Sequence, residues 1–199
     1  MGSENMSANR NTHKPIVLAI AGPNGSGKST LWSSLKQKHV GTHVNADDIK
    51  LEYDLTDIEA AKQAEALRNT LLSLRENFSF ETVLFTERNL LLLESAKAQG
   101  YEIQCFYILT CNEEINVARV KARHAAGGLD VPEEKVRSRY HRALMLLPRL
   151  ISVCDKILIY DNSDKPALIF RKEYEQTKVF KNKHWSESVL QRLLQLVEN

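Results

Sequence analysis

Lys28 and Ser29 close the run Gly22-Pro23-Asn24-Gly25-Ser26-Gly27-Lys28-Ser29, which matches G-x-x-x-x-G-K-[ST] and continues into Thr30. The chemistry such a run can do is phosphate binding. Its glycines let successive backbone N–H groups curl around phosphate oxygens at the start of a helix. Lys28 is placed to reach the β- and γ-phosphates of ATP, and the Ser29 hydroxyl to ligate Mg²⁺. A chance Gly-rich turn is the plain alternative, but the run follows an apolar stretch and opens a helical one, the context that the mechanism requires. Guanine-specific switch motifs are missing: no DxxG follows, and Asn182-Lys183 runs into His184-Trp185 rather than completing NKxD.

Carboxylates supply the second kind of chemistry. Val44-Asn45-Ala46-Asp47-Asp48 places two of them just past a short apolar run, at the edge of the sheet where open α/β folds bind ligands. Asp47 is read as a general base for an acceptor hydroxyl, a role worth roughly 10²–10⁴-fold in rate. Asp48 is read as a helix cap or first-turn residue. Glu81-Thr82 interrupts an apolar run between Phe80 and Val83, and a carboxylate there is costly to bury without a partner. Hydrated Mg²⁺ or a substrate hydroxyl would serve; a solvated edge-strand Glu is the alternative.

A third group is cationic: Arg119, Arg123, Arg137, Arg139, Arg142 and Arg149. Arg119 and Arg123 stand four apart, on one helical face, beside the Ala125-Ala126-Gly127-Gly128 loop. Such a segment can close over a triphosphate and neutralise charge in the transition state. Its alternative is a solvated basic face.

These residues need a scaffold. From Pro15 short apolar runs alternate with helical stretches, the pattern of an α/β domain with a parallel sheet. Strands are expected at residues 16–21, 42–46, 78–85, 102–109 and 156–160, and helices at 28–38, 56–76, 88–98, 112–125 and 132–153. Gly100 caps one helix, and Pro132 sits at an allowed first-turn position of another. Pro148 is expected to bend or break that last helix. A weak hairpin and a helix near 187–197 complete the chain.

With 199 residues, 43% hydrophobic and 26% charged, one domain over residues 15–199 is expected, behind a disordered leader at 1–14. The net charge of +2 names no polyanionic partner, so nucleic acid is not an expected ligand. Cys105, Cys111 and Cys154 form no CxxC pair, which fits a reducing compartment, the cytoplasm. No stretch approaches the roughly 20 apolar residues of a membrane span.

Taken in order, residues 22–30, Val44 to Asp48, Phe80-Glu81-Thr82, the arginine-rich stretch into Gly127-Gly128, Val131-Pro132, Arg139-Tyr140 and Tyr160-Asp161-Asn162-Ser163 resemble the zeta-toxin family of P-loop kinases. The resemblance implies a P-loop three-layer α/β sandwich with a mainly parallel, doubly wound sheet and a helical, arginine-rich lid. It implies transfer of the γ-phosphate of ATP, with Mg²⁺, to the 3′-hydroxyl of UDP-N-acetylglucosamine. By position, Asp47 would be the base, Lys28 and either Arg119 or Arg123 would hold the γ-phosphate, Glu81 and Thr82 would meet the acceptor, and Asn162 would sit near adenine. An antitoxin protein is the partner implied. Where short members carry Gly-Gly-His, this chain has Gly127-Gly128-Leu129. Two other readings stay open: a kinase of another small molecule or of a nucleic-acid end, and an ATP-binding regulator without transfer activity.

Overall fold

The computed structural model describes residues 14–194. The expected leader, except Lys14, and the last residues of the expected C-terminal helix lie outside them. The elements run β1 (Ile16–Ala21), α1 (Lys28–Ser34), β2 (Thr42–Val44), α2 (Ala46–Tyr53), α3 (Asp57–Ser73), β3 (Phe78–Thr82), α4 (Arg88–Ala98), β4 (Glu102–Leu109), α5 (Glu113–Ala125), α6 (Glu133–Val153), β5 (Lys156–Asp161), β6 (Ala167–Glu173), β7 (Gln176–Val179) and α7 (Glu187–Leu194).

They form one sheet in the order β2-β3-β1-β4-β5-β6-β7, parallel through β5, with the β6–β7 hairpin antiparallel at one edge. The fold is the α/β P-loop architecture expected from the sequence. Apolar β1 lies at its centre, buried along nearly its whole length, as a strand covered on both faces must be. Period-two alternation divides its side chains. Val17, Ala19 and Ala21 join a core built with α3, α4, α6 and α7, while Leu18 and Ile20 pack with Leu31 and Trp32 of α1.

Because β1 lies between β3 and β4, chain connections leave its carboxyl end in opposite directions and open a crevice there. Register brings the candidate residues to that crevice: Ala21 pairs with Thr82 and with Tyr107, Val44 with Phe80, and Leu109 with Asp161.

Three expectations need correction. The second strand stops at Val44 and α2, which the sequence reading passed over, starts two residues later. Asn45 caps α2, accepting from the Asp47 N–H at 3.0 Å, so Asp47 and Asp48 belong to its first turn. The third strand ends at Thr82, whose Oγ1 accepts the Leu84 N–H at 3.0 Å. Pro148 does not break α6, which runs through it. Ala143, Leu147, Leu150 and Ile151 are buried around it, and burying such side chains at about 1.5–3 kcal/mol each outweighs the roughly 3 kcal/mol cost of an internal proline.

Pro148→Ala restores a backbone donor inside α6, so it should raise the unfolding free energy by up to about 3 kcal/mol, read as a higher urea midpoint at unchanged m. An unchanged or lower midpoint would mean that α6 has adapted fully to the proline.

Candidate active site

The glycine-rich loop joins β1 to α1 and is held from several sides. Gly22 N–H donates to Thr82 O at 3.2 Å, fastening the loop to β3. Asn116 of α5 donates from Nδ2 to Asn24 O at 2.6 Å, and Asn162 from Nδ2 to Ser26 O at 2.8 Å. Asn116 is wholly buried and is itself engaged by the Thr110 hydroxyl. Asn162 thus braces the loop beside Gly27, and no contact with a base is needed to explain its place.

Lys28 is 8% exposed; its ammonium donates to Gly22 O at 3.0 Å and Pro23 O at 3.3 Å and lies 3.7 Å from Glu81 Oε1. Ser29 donates from Oγ to Glu81 Oε2 at 3.2 Å. Strand alternation explains the meeting. Glu81 is registered with Ile20, whose side chain points to the α1 face, so Glu81 stands over the start of α1. Phe80 and Thr82 point the other way, towards α3 and α4, where Thr82 Oγ1 accepts from Asn89 Nδ2 at 2.8 Å. The carboxylate inside the apolar strand is therefore paired with a buried cation and a hydroxyl.

Two cavities meet at this pair. One, of about 590 Å³, is lined by Gly25, Gly27, Lys28, Ser29, Thr30, Glu81, Arg119, Val120, Arg123 and Asn162. The other, of about 490 Å³, includes Lys28, Asp47, Glu81 and Thr82, with Arg68, Phe85, Arg88 and Asn89. Lys28 and Glu81 line both. Asp48 lines neither and is exposed, as a first-turn residue would be.

Charge is arranged accordingly. Burial holds the Lys28 ammonium below its ordinary pKa, with Glu81 opposing. Asp47 is still reached by solvent, yet partial desolvation and then the Glu81 charge raise its carboxyl above the ordinary value, with Arg123 and Lys28 opposing. A carboxyl with a raised pKa beside Lys28 and Glu81 is a candidate for proton transfer.

The arginine segment divides. Arg119 lines the phosphate-loop cavity; its Nη1 is buried without a hydrogen-bond partner, while its Nη2 donates to Ser163 O at 3.4 Å. Arg123 ties the lid loop by donating to Leu129 O at 3.1 Å. Arg137 is committed to Glu114 and Glu133, and Arg149 to Glu94. Arg139 reaches Asn24 Oδ1 at 3.5 Å and stacks on Phe85 at 4.6 Å. Sequence reasoning missed Asn116 and Arg68, and it named Arg139 only as one of the basic segment and of the family resemblance, without a role.

A glycine-rich loop between a central parallel strand and a helix, set at the switch point of a doubly wound sheet, defines a P-loop nucleotide-binding protein. The chain belongs to the Zeta toxin family, whose model matches residues 3–174. An uncharacterised protein of Haemophilus influenzae is 34% identical over 129 residues, 62% of this chain and 91% of the relative. Among solved structures, one from the PezAT chromosomal toxin-antitoxin system of Streptococcus pneumoniae superposes with a TM-score of 0.58 at 18% identity, covering 96% of this chain and 87% of that one. The AvrRxo1-ORF1:AvrRxo1-ORF2 complex with sulphate ions does so with 0.69 at 13% identity, covering 92% and 65%. At such identities these structures support the fold. No described helix is long and apolar enough to cross a membrane.

Asp47 yields a stability prediction. With its folded pKa raised, its ionised form costs folded-state stability at neutral pH, and the cost disappears as pH falls below both pKa values. Asp47→Asn should therefore unfold at higher urea than the wild type at pH 7, the two curves converging as the carboxyl protonates. A less stable variant at pH 7 would mean that Asp47 is a structural ion-pair residue.

Proposed function

We propose that the chain transfers the γ-phosphate of ATP to a hydroxyl of a nucleotide sugar, UDP-N-acetylglucosamine at its 3′-hydroxyl being the acceptor that the family resemblance implies. The observation that carries this reading is the pair of cavities meeting at Lys28 and Glu81, one walled by the phosphate loop and the other by Asp47. A nucleotide-binding regulator needs only the first.

In this mechanism the loop N–H groups and Lys28 hold the β- and γ-phosphates, and Arg119 or Arg123 meets the charge that develops on the transferred group. Arg119 is favoured by its open, buried Nη1. Asp47 accepts the hydroxyl proton of the acceptor as its oxygen bonds to the γ-phosphorus and the bond to the β-phosphate oxygen breaks, leaving ADP. Glu81 and Thr82 orient that hydroxyl. Ser29 Oγ and Glu81, two hard oxygen ligands in contact, fit Mg²⁺. When bound, the ion would neutralise charge between the phosphates. Among the described residues no group of three or more His, Cys, Asp or Glu could hold a metal, which suits an ion bound mainly through substrate phosphates. An antitoxin protein is the partner we propose, supported by the toxin-antitoxin system that supplied one similar fold; the cytoplasm is the compartment we propose.

The test is γ-labelled ATP offered with a panel of nucleotide sugars. UDP-N-acetylglucosamine should become labelled; labelling of a different compound would replace the substrate and keep the chemistry. Lys28→Ala should abolish transfer in a folded protein. Asp47→Asn should slow it by roughly 10²–10⁴-fold with ATP affinity nearly unchanged, and Asp48→Asn should be mild. An essential Asp48 with a dispensable Asp47 would overturn the assignment of the base.

Separate replacement of Arg119 and Arg123 by alanine should cost on the order of 10³-fold in kcat at the true γ-phosphate ligand and much less at its neighbour. Two kinetically silent replacements would make the segment a solvated face.

A further inference from the structure

Arg68 has no part in the mechanism above. It lies on the inner side of α3, 7% exposed, with its guanidinium 5.2 Å from the centre of the Phe80 ring. Its Nε is buried without a hydrogen-bond partner, and no ion pair satisfies it among the described residues. Glu65 attracts it but bonds to Arg88 at 3.2 Å. Stacking on Phe80 engages the face of the guanidinium and supplies no acceptor to its N–H groups. Burying a charged group in that condition is costly unless a partner arrives.

Its surroundings indicate the partner. Arg68 lines the same cavity as Asp47, and so do Arg88 and Asn89, the first residues of α4. The N-cap of α4, Glu87, makes no side-chain cap bond, so no cap side chain occupies the first-turn N–H groups, and the helix presents its positive end there. Ala61, Ala64 and Val83 supply apolar wall beside it. A buried guanidinium with open donors, next to an uncapped helix start, attracts an anion.

We infer that this part of the acceptor cavity is an anion subsite with Arg68 as its principal ligand, taking a phosphate or carboxylate that the acceptor carries apart from the hydroxyl it offers to Asp47. The inference deepens the kinase reading and rests on it only for calling the bound molecule an acceptor. Arg68 is a binding and specificity residue, remote from the transferred phosphate. It selects against neutral sugars, because a neutral occupant would leave the guanidinium buried and unsatisfied.

The test fills the phosphate loop first, with Mg²⁺ and a non-hydrolysable ATP analogue, so that added anions meet only the second cavity. Calorimetric titrations then use UDP-N-acetylglucosamine, neutral N-acetylglucosamine, inorganic phosphate and succinate, against the wild type, Arg68→Gln and Arg68→Lys. Arg68→Gln should weaken the charged probes by about ten- to a hundredfold, the loss expected for a hydrogen bond to a charged group. Arg68→Lys should recover part of that, and the neutral sugar and the ATP analogue should bind all three proteins alike. Tighter binding of phosphate than of succinate would identify a phosphate-bearing acceptor, and the reverse a carboxylate. If Arg68→Gln does not fold, the Lys variant and the response of the wild-type thermal midpoint to each anion carry the same contrast. Equal affinity of charged probes for wild type and Arg68→Gln would overturn the inference, as would failure of every charged probe to bind the wild type. Arg68-dependent anion binding without phosphate transfer to any compound would leave the subsite standing and remove the kinase reading.

Discussion

Close backbone packing around the phosphate loop is the constraint from which the rest of the site follows. A Cβ on Gly22 would lie 2.0 Å from Ile108 O, and one on Gly25 would lie 2.5 Å from Asn116 O. No side chain fits at either position, because β4 and α5 press directly on the loop. That pressure is useful. It fixes the direction of the loop N–H groups before any phosphate arrives, so binding does not have to order them. It also explains why Asn116 and Asn162 donate hydrogen bonds to the loop and why Thr82 O accepts one from it: a backbone this enclosed cannot satisfy its polar groups with water.

The loop in turn decides where charge accumulates. With Lys28 held against the carbonyls of Gly22 and Pro23, its ammonium sits between the two cavities rather than at the mouth of one. Glu81 keeps that buried cation from being isolated, and the same carboxylate raises the Asp47 carboxyl. One strand residue therefore stabilises the phosphate-binding lysine and tunes the proposed base. The arrangement costs stability in the folded chain, since desolvation works against both Lys28 and Asp47. Such a cost is tolerated where groups must respond to a ligand.

Sequence legibility followed the range of the interactions. The bounds of β1, α4 and β4 could be read to the residue, because continuous apolar runs and a glycine just past a helix end are local signals. α2 was hidden: it has no buried residue to show periodicity, and its cap, Asn45, lies in a segment that reads equally well as a strand end. The phosphate loop, Asp47 and Glu81 stood out by residue type. The pairing of Glu81 with Lys28 did not, for it depends on β3 lying beside β1, a non-local fact that only the register supplies.

The arginines show the same limit and a way past it. Six of them look alike between residues 119 and 149, and spacing along the helix cannot rank them. Hydrogen-bond satisfaction does. Arg137 spends one side of its fork on Glu114, 23 residues away, and Arg149 on Glu94, 55 away, so both are tied to carboxylates of the protein itself. Arg119, which lines the phosphate-loop cavity, has a buried Nη1 without a hydrogen-bond partner, and Arg68, in a helix to which the sequence assigned no site residue, has a buried Nε without one beside the second cavity. Folded proteins leave few buried donors unmatched, and the proposed reading supplies a ligand for both of these arginines, which line the two cavities that share Lys28. The proposed reaction brings two polyanions together, and such a reaction calls for cations on both sides of the site.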